Sequence, residues 1–179
     1  DTVRAGNIHI EEPRLAPLVK DAVSSGKLQA DTKPAPSAVF MIAVPTPVDH
    51  TTHKPDMQMV ESAARAIATV AEAGSLVILQ STSPVGATER HVKAIIESLR
   101  PELTGTVDYV YCPERAIPGK TLHEMIHNDR AVGGLTPQAT GRGIAFYKRI
   151  VTGELLPPDA RTAEMVKLVE NACRDVQIA

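Results

Sequence analysis

The densest chemistry in the sequence lies near its carboxyl end, in A-E-M-V-K-L-V-E-N-A-C-R-D-V, residues 163–176. Lys167, Asn171 and Arg174 fall at i, i+4 and i+7, which puts an ammonium, an amide and a guanidinium on one face of a helix. Such a donor stripe suits an anionic or oxyanionic ligand. It equally fits a solvated face with Glu170 and Asp175 as ion-pair partners. A second cluster, Ser81-Thr82-Ser83, presents three hydroxyls directly after the apolar run Leu76–Leu79 and before the backbone breakers Pro84 and Gly86. At the carboxyl end of a parallel strand, hydroxyls can bond a nucleotide or sugar, or they can simply cap the turn.

Other patterns carry less. His123-Glu124-Met125-Ile126-His127 matches H-E-x-x-H, which sets two imidazoles on one helix face as zinc ligands. Gly119 and Asn128 confine that helix to about two turns, and the third ligand would have to be Glu154, in a turn beyond the next helix. A zinc hydrolase is therefore a minor alternative, and no metal is expected. Gly141-Arg142-Gly143 begins a near miss to G-x-G-x-x-G, but the sixth position is Phe146 and the stretch lies inside a helix pattern. Cys112 and Cys173 have no histidine placed by sequence to activate them and read as small buried hydrophobes.

These residues must be positioned by strands and helices. Residues 39–44, 76–79 and 107–112 are apolar runs that end in V-P-T-P, S-T-S-P and C-P-E-R. They predict strands, the third nearer an edge, with helices over 57–73, 89–99 and 137–150 between and after them. Asp56, Thr88 and Asp159 are the expected helix caps, the last opening a helix that runs to the end of the chain. Residues 131–134 suggest a short fourth strand, 15–24 a helix, 1–7 the tail of a helix closed by Gly6 and Asn7, and 8–10 and 28–30 minor extended pieces. Strands alternating with helices make a β-α-β series, hence an α/β fold with a parallel sheet and helices on both faces. One rim then collects every strand carboxyl end, with Thr46, Thr82 and Glu114 as neighbours.

Composition excludes several classes. A 179-residue chain with 43% hydrophobic and 22% charged residues can bury a sizeable core. A net charge of -2 gives no electrostatic case for nucleic acid or an anionic membrane, and 3% aromatics with no Trp offers no base-stacking platform. Two cysteines are too few for a disulfide scaffold, no apolar run is long enough to span a bilayer, and the expected compartment is the cytoplasm. The chain starts at Asp1 without Met and stops within a helical pattern, so it reads as part of a longer protein.

In order, V-P-T-P, S-T-S-P-V-G, C-P-E-R and the A-E-M-V-K-L-V-E-N-A-C-R-D-V helix resemble the UDP-sugar 6-dehydrogenases of the UDP-glucose/GDP-mannose dehydrogenase family. The resemblance covers essentially the whole chain. It implies that 1–157 are a Rossmann-like NAD-binding domain lacking its first strand, helix and second strand, and that 158–179 begin the family's long central helix. It implies NAD as cofactor and a UDP-sugar whose C6 alcohol is oxidised to a carboxylate in two hydride transfers, through a cysteine-bound thiohemiacetal and thioester. Thr46 and Thr82 would then contact NAD. By the same resemblance Glu114 would be an active-site carboxylate, Arg115, Ala116 and Arg174 would line the substrate, Lys167 would be the acid/base, and Asn171 would assist at the sugar. A homodimer through the central helix is the implied assembly.

Departures refine this. Two residues that mark UDP-glucose enzymes, a second glutamate and a lysine further along the helix, are replaced by Pro118 and Gln177, which favours the branch acting on UDP-N-acetyl-D-mannosamine. The product of that branch would feed surface polysaccharide synthesis. The family's Gly-rich pyrophosphate turn and its G-G-x-C-x-P nucleophile segment have no counterpart here, so these 179 residues alone are expected to be inactive and to bind NAD poorly. UDP-glucose, another UDP-N-acetylhexosamine, or a non-catalytic nucleotide-binding or assembly module are the remaining alternatives.

Overall fold

The computed structural model describes residues 1–117 and 119–178, so the reading of Pro118 lies outside the described residues. Strand β2 (Leu76–Leu79) is an unbroken apolar run because both of its faces are covered, and each side chain is at most 2% exposed. Burial on that scale is worth about 1.5–3 kcal/mol per large aliphatic side chain, which makes β2 the anchor of the sheet. It pairs in parallel with β1 (Val39–Ile42) and β3 (Asp108–Tyr111), Val77 standing between Phe40 and Tyr109.

Period-2 alternation along β2 divides the interior into two cores. Val77 and Leu79 face one core with Val60, Ala64 and Ile67 of α2 (Gln58–Ala68) and with Val92 and Ile96 of α3 (Thr88–Leu99). Leu76 and Ile78 face the other, with Val110, Val132, and Ala139 and Tyr147 of α5 (Pro137–Tyr147). The expected α/β sheet with helices on both faces is what forms. Helix α3 is π-helical over Thr88–Lys93 and α-helical over Ala94–Leu99. The remaining helices are α1 (Leu15–Ser24), α4 (Thr121–His127) and α6 (Ala160–Ile178). Asp159 caps α6, its Oδ1 accepting from Thr162 N at 2.8 Å, and Asp56 Oδ1 accepts from Gln58 N at 2.8 Å at the start of α2.

Several expectations need correction. β3 is interior and wholly buried, because β5 (Gly133–Gly134) pairs with it antiparallel on its far side. β1 is one edge strand among the described residues, with Met41 43% exposed, and β5 is the other. The fourth-strand stretch divides at Val132: β4 (Arg130–Ala131) pairs with β6 (Leu155–Leu156) in a second sheet, while β5 joins the main one. A Cβ at Gly133 would run into the Asp159 carbonyl and lie 2.8 Å from Ala163 Cβ, so the crossing at the start of α6 requires glycine. Helix α2 stops five residues short of expectation, and 8–10 and 28–30 are not strands. Residues 1–7 form turns rather than a helix, but they close as a helix end does: Gly6, at φ 73°, donates to Val3 O and Asn7 to Thr2 O.

Candidate functional site

The three strands end on one rim, and the loops there are tied to one another by hydrogen bonds. Ser81 and Ser83 use their hydroxyls on the backbone. Ser81 Oγ accepts from Val44 N at 2.8 Å and donates to Val44 O at 2.7 Å, joining the ends of β1 and β2, and Ser83 Oγ donates to Ser81 O at 2.9 Å. The middle residue differs. Thr82 is half-buried, and its hydroxyl makes no hydrogen bond among the described residues. Its carbonyl accepts from Thr46 Oγ1 at 2.7 Å, so the V-P-T-P and S-T-S-P turns meet directly and the Thr46 oxygen keeps its lone pairs. The capping reading therefore holds for Ser81 and Ser83, and the Thr82 hydroxyl is the member left over.

Glu114, after β3, is surrounded by donors. Oε1 accepts from Arg115 N at 2.7 Å and Ala116 N at 2.8 Å, and Oε2 accepts from Gln80 Nε2 at 3.1 Å. Arg130 adds its guanidinium at 3.3 Å from Oε2. Arg130 is only 2% exposed, donates also to Met125 O at 3.1 Å, and stands over the Tyr147 ring at 5.5 Å from its centroid. Glu114 is thereby tied to Gln80, two residues before Thr82 at the end of β2.

Helix α6 crosses this rim. Lys167, 9% exposed, donates from Nζ to the Glu114 carbonyl at 2.7 Å. Burial lowers the Lys167 pKa, the Arg174 charge adds to that, and Glu170 and Glu114 pull the other way. Arg115 pairs with Glu170 at 2.9 Å and donates to Asp129 O at 2.9 Å. Arg174 donates to Asn171 Oδ1 at 2.6 Å, so two members of the expected donor stripe bond each other at the surface while the third is buried. The helix turns inward with an unexpected set of residues: Ala160, Ala163, Glu164 and Lys167 are buried, whereas Met165 and Val169 are about half exposed.

Three rim residues were given no role by the sequence. Gln80 closes β2, Arg130 opens the second sheet, and Glu164 is fully buried one helical turn before Lys167. The signals for Glu164 are its place in A-E-M-V-K and that i, i+3 spacing.

The remaining expectations resolve differently. His123 and His127 stack at 4.1 Å between ring centroids, His127 Nδ1 contacts its own helix at His123 O, and Glu124 accepts from Ile117 N. Among the described residues no group of three or more His, Cys, Asp or Glu is gathered as metal ligands would be. Cys112 is buried, and burial pushes its thiol pKa up, away from a nucleophile. Cys173 is exposed, a correction, because the far half of α6 has nothing packed against it among the described residues.

Comparison with known proteins adds identity to this geometry. The chain is 49% identical to UDP-N-acetyl-D-mannosamine dehydrogenase of Escherichia coli (strain K12) and 47% identical to NDP-N-acetyl-D-galactosaminuronic acid dehydrogenase of Ralstonia nicotianae. Each match covers all of this chain and 44% of the relative, so the chain spans under half the length of these proteins. Among solved structures, UDP-N-acetyl-mannosamine dehydrogenase of Staphylococcus aureus superposes with a TM-score of 0.90 at 40% identity, covering 98% of this chain and 43% of that one. A UDP-glucose dehydrogenase of Pyrobaculum islandicum superposes at 0.78 and 29%, covering 94% and 40%. The model of the NAD binding domain of the UDP-glucose/GDP-mannose dehydrogenase family matches residues 1–151, and the chain belongs to that family.

Proposed function

We propose that the protein carrying this chain is an NAD-dependent UDP-sugar 6-dehydrogenase, with UDP-N-acetyl-D-mannosamine as substrate and the corresponding uronate as product. The observation that carries the reading is the buried Lys167 amino group, held on the Glu114 carbonyl at the same rim as the free Thr82 hydroxyl. The choice of sugar rests on the higher identity and TM-score of the N-acetylmannosamine enzymes over the UDP-glucose enzyme, and on Gln177.

The roles follow from the contacts. Residues 1–157 form the nucleotide-binding part, and 158–179 begin a helix that continues into the rest of the site. The cofactor fits the rim: Thr82 has a free hydroxyl and Thr46 free lone pairs, at the carboxyl ends of parallel strands. NAD supplies the hydride acceptor. The neutral amine of Lys167, favoured by burial, takes the C6 hydroxyl proton as the hydride leaves, and returns it to solvent-connected groups between the two oxidations. Asn171 offers an amide donor to the developing oxyanion, one turn along the helix. Glu114, fixed by Arg130 and Gln80, shapes the loop on which Arg115 and Ala116 meet the substrate, and Arg174 lies at its outer edge. The covalent cysteine is neither Cys112, which is buried, nor Cys173, which is far along the exposed half of α6. The exposed Met165, Val169, Val176 and Ile178 give α6 an apolar surface consistent with a homodimer. No helix among the described residues is long and apolar enough to cross a membrane, which is consistent with the cytoplasmic placement proposed here.

Absorbance at 340 nm tests this on the full-length protein with NAD and either UDP-N-acetyl-D-mannosamine or UDP-glucose. Two NADH per UDP-N-acetyl-D-mannosamine, with UDP-glucose inert, is the expected result. Turnover of UDP-glucose alone would overturn the choice of sugar, and silence with both would overturn the activity.

A further inference from the structure

Glu164 is 0% exposed, and its carboxylate reaches back across 76–78 residues of sequence to the turn after β2. One oxygen accepts from Gly86 N; the other accepts from Thr88 N at 2.8 Å and Thr88 Oγ1 at 2.7 Å. A buried carboxylate is costly unless its oxygens are satisfied, and here every donor comes from a single three-residue stretch at the head of α3. The negative charge also faces the positive end of that helix. Thr88, expected to cap the helix itself, has its hydroxyl turned to Glu164 instead.

The surroundings say what this contact does. The other buried residues of α6 are Ala160, Ala163 and Lys167. Alanine faces let the helix lie close to the sheet at Gly133, but small apolar contacts have no direction and do not lock a helix against sliding. Direction comes from the two polar groups: Glu164 bonds the turn after β2, and Lys167, three residues on, bonds the loop after β3. Gly86, at φ 86°, lets the turn take a left-handed conformation that brings its N–H onto the Glu164 carboxylate.

We propose that Glu164 is a positioning residue: it holds the Thr82 turn in register with Lys167, and so sets the cofactor-facing hydroxyl against the acid/base amine. The inference rests on the functional reading above. Glu164→Gln keeps the shape but replaces one acceptor oxygen with a donor, so one of the three donors is left facing an NH2.

Two readouts on the full-length protein separate the outcomes. Hydrogen–deuterium exchange of a peptide spanning 81–93 is expected to accelerate roughly tenfold or more in E164Q. KM for NAD is expected to rise and kcat/KM to fall by roughly ten- to a hundredfold per folded enzyme, with Thr88→Val reproducing part of the loss, Thr88→Ser restoring it, and the T88V/E164Q double variant adding little to E164Q. Unchanged exchange, or unchanged kinetics in an active enzyme, would overturn the proposal. A wild-type protein that oxidises neither sugar would overturn the functional reading instead, while accelerated exchange would still establish the clasp.

Discussion

Two glutamates in this chain grip the same pattern in different settings. Glu164 bonds Gly86 N, Thr88 N and Thr88 Oγ1; Glu12 bonds Gly119 N at 2.9 Å, Thr121 N at 2.8 Å and Thr121 Oγ1 at 2.9 Å. Each clasps a Gly-x-Thr at the head of a helix far away in sequence, 76–78 residues in one case and 107–109 in the other. Glu164 is sealed between α6 and the sheet, whereas Glu12 is partly exposed on a segment that contributes no buried residue from α1. The difference teaches that the bonding pattern alone does not set its worth. Where water cannot replace a lost partner, removing the carboxylate orphans three donors; at the surface, water takes its place.

That contrast can be broken by substitution. The largest expected effect is on the neighbour that the buried clasp serves: Lys167→Met is expected to lower kcat by about 10²–10⁴-fold while the protein stays folded. The wild-type pH–rate profile should rise with pH through an inflection below the ordinary lysine value of 10.5, because burial disfavours the ammonium, and this limb should vanish in the variant. Wild-type-like turnover in Lys167→Met would remove the acid/base role.

Next in size, Glu164→Ala should cost about 2–5 kcal/mol in urea denaturation by leaving two N–H groups and one hydroxyl unpaired in a dry site. Glu12→Ala should lower the melting temperature by only about 2–4 °C and leave KM for NAD unchanged. Equal losses for the two would end the comparison.

The smallest effect is in acid. Burial pushes the Glu12 carboxyl up, but the hydrogen bonds from Gly119, Thr121 and Leu122 outweigh it and hold it below its ordinary 4.5. A carboxyl with a depressed folded-state pKa adds stability that is complete above its unfolded value and is lost as the pH falls through the folded one. The stability difference between wild type and Glu12→Gln should therefore be constant well above the ordinary 4.5 and shrink as the pH falls below it. A difference persisting at lower pH would show that the Glu12 clasp acts through shape rather than charge.

Much of this was legible beforehand, for a local reason. The run 76–79 reads as a strand buried on both faces because four apolar residues bounded by breakers can be little else. The phase of Lys167, Asn171 and Arg174 on α6 follows from helical geometry alone. Burial was less legible. On α6 the apolar Met165 and Val169 are half exposed while Glu164 and Lys167 are buried. Periodicity assigns residues to faces, but it does not say which face meets the sheet. The division of Ser81, Thr82 and Ser83 into two structural hydroxyls and one free one was equally invisible, since it depends on where β1 ends.

The sequence by itself determined the alternation of apolar strands and amphipathic helices, the breakers that close β1, β2 and β3 at one rim, and the motifs that mark the family. Those are properties of residues within a few positions of each other. The tertiary structure alone decided that β3 lies inside the sheet, that Arg130 and Gln80 hold Glu114, and that Glu164 rather than Thr88 satisfies the head of α3. Each of those contacts joins groups that are distant along the chain, and the reward for making them, a buried polar group finding its partner, exists only once the fold has excluded water from the space between.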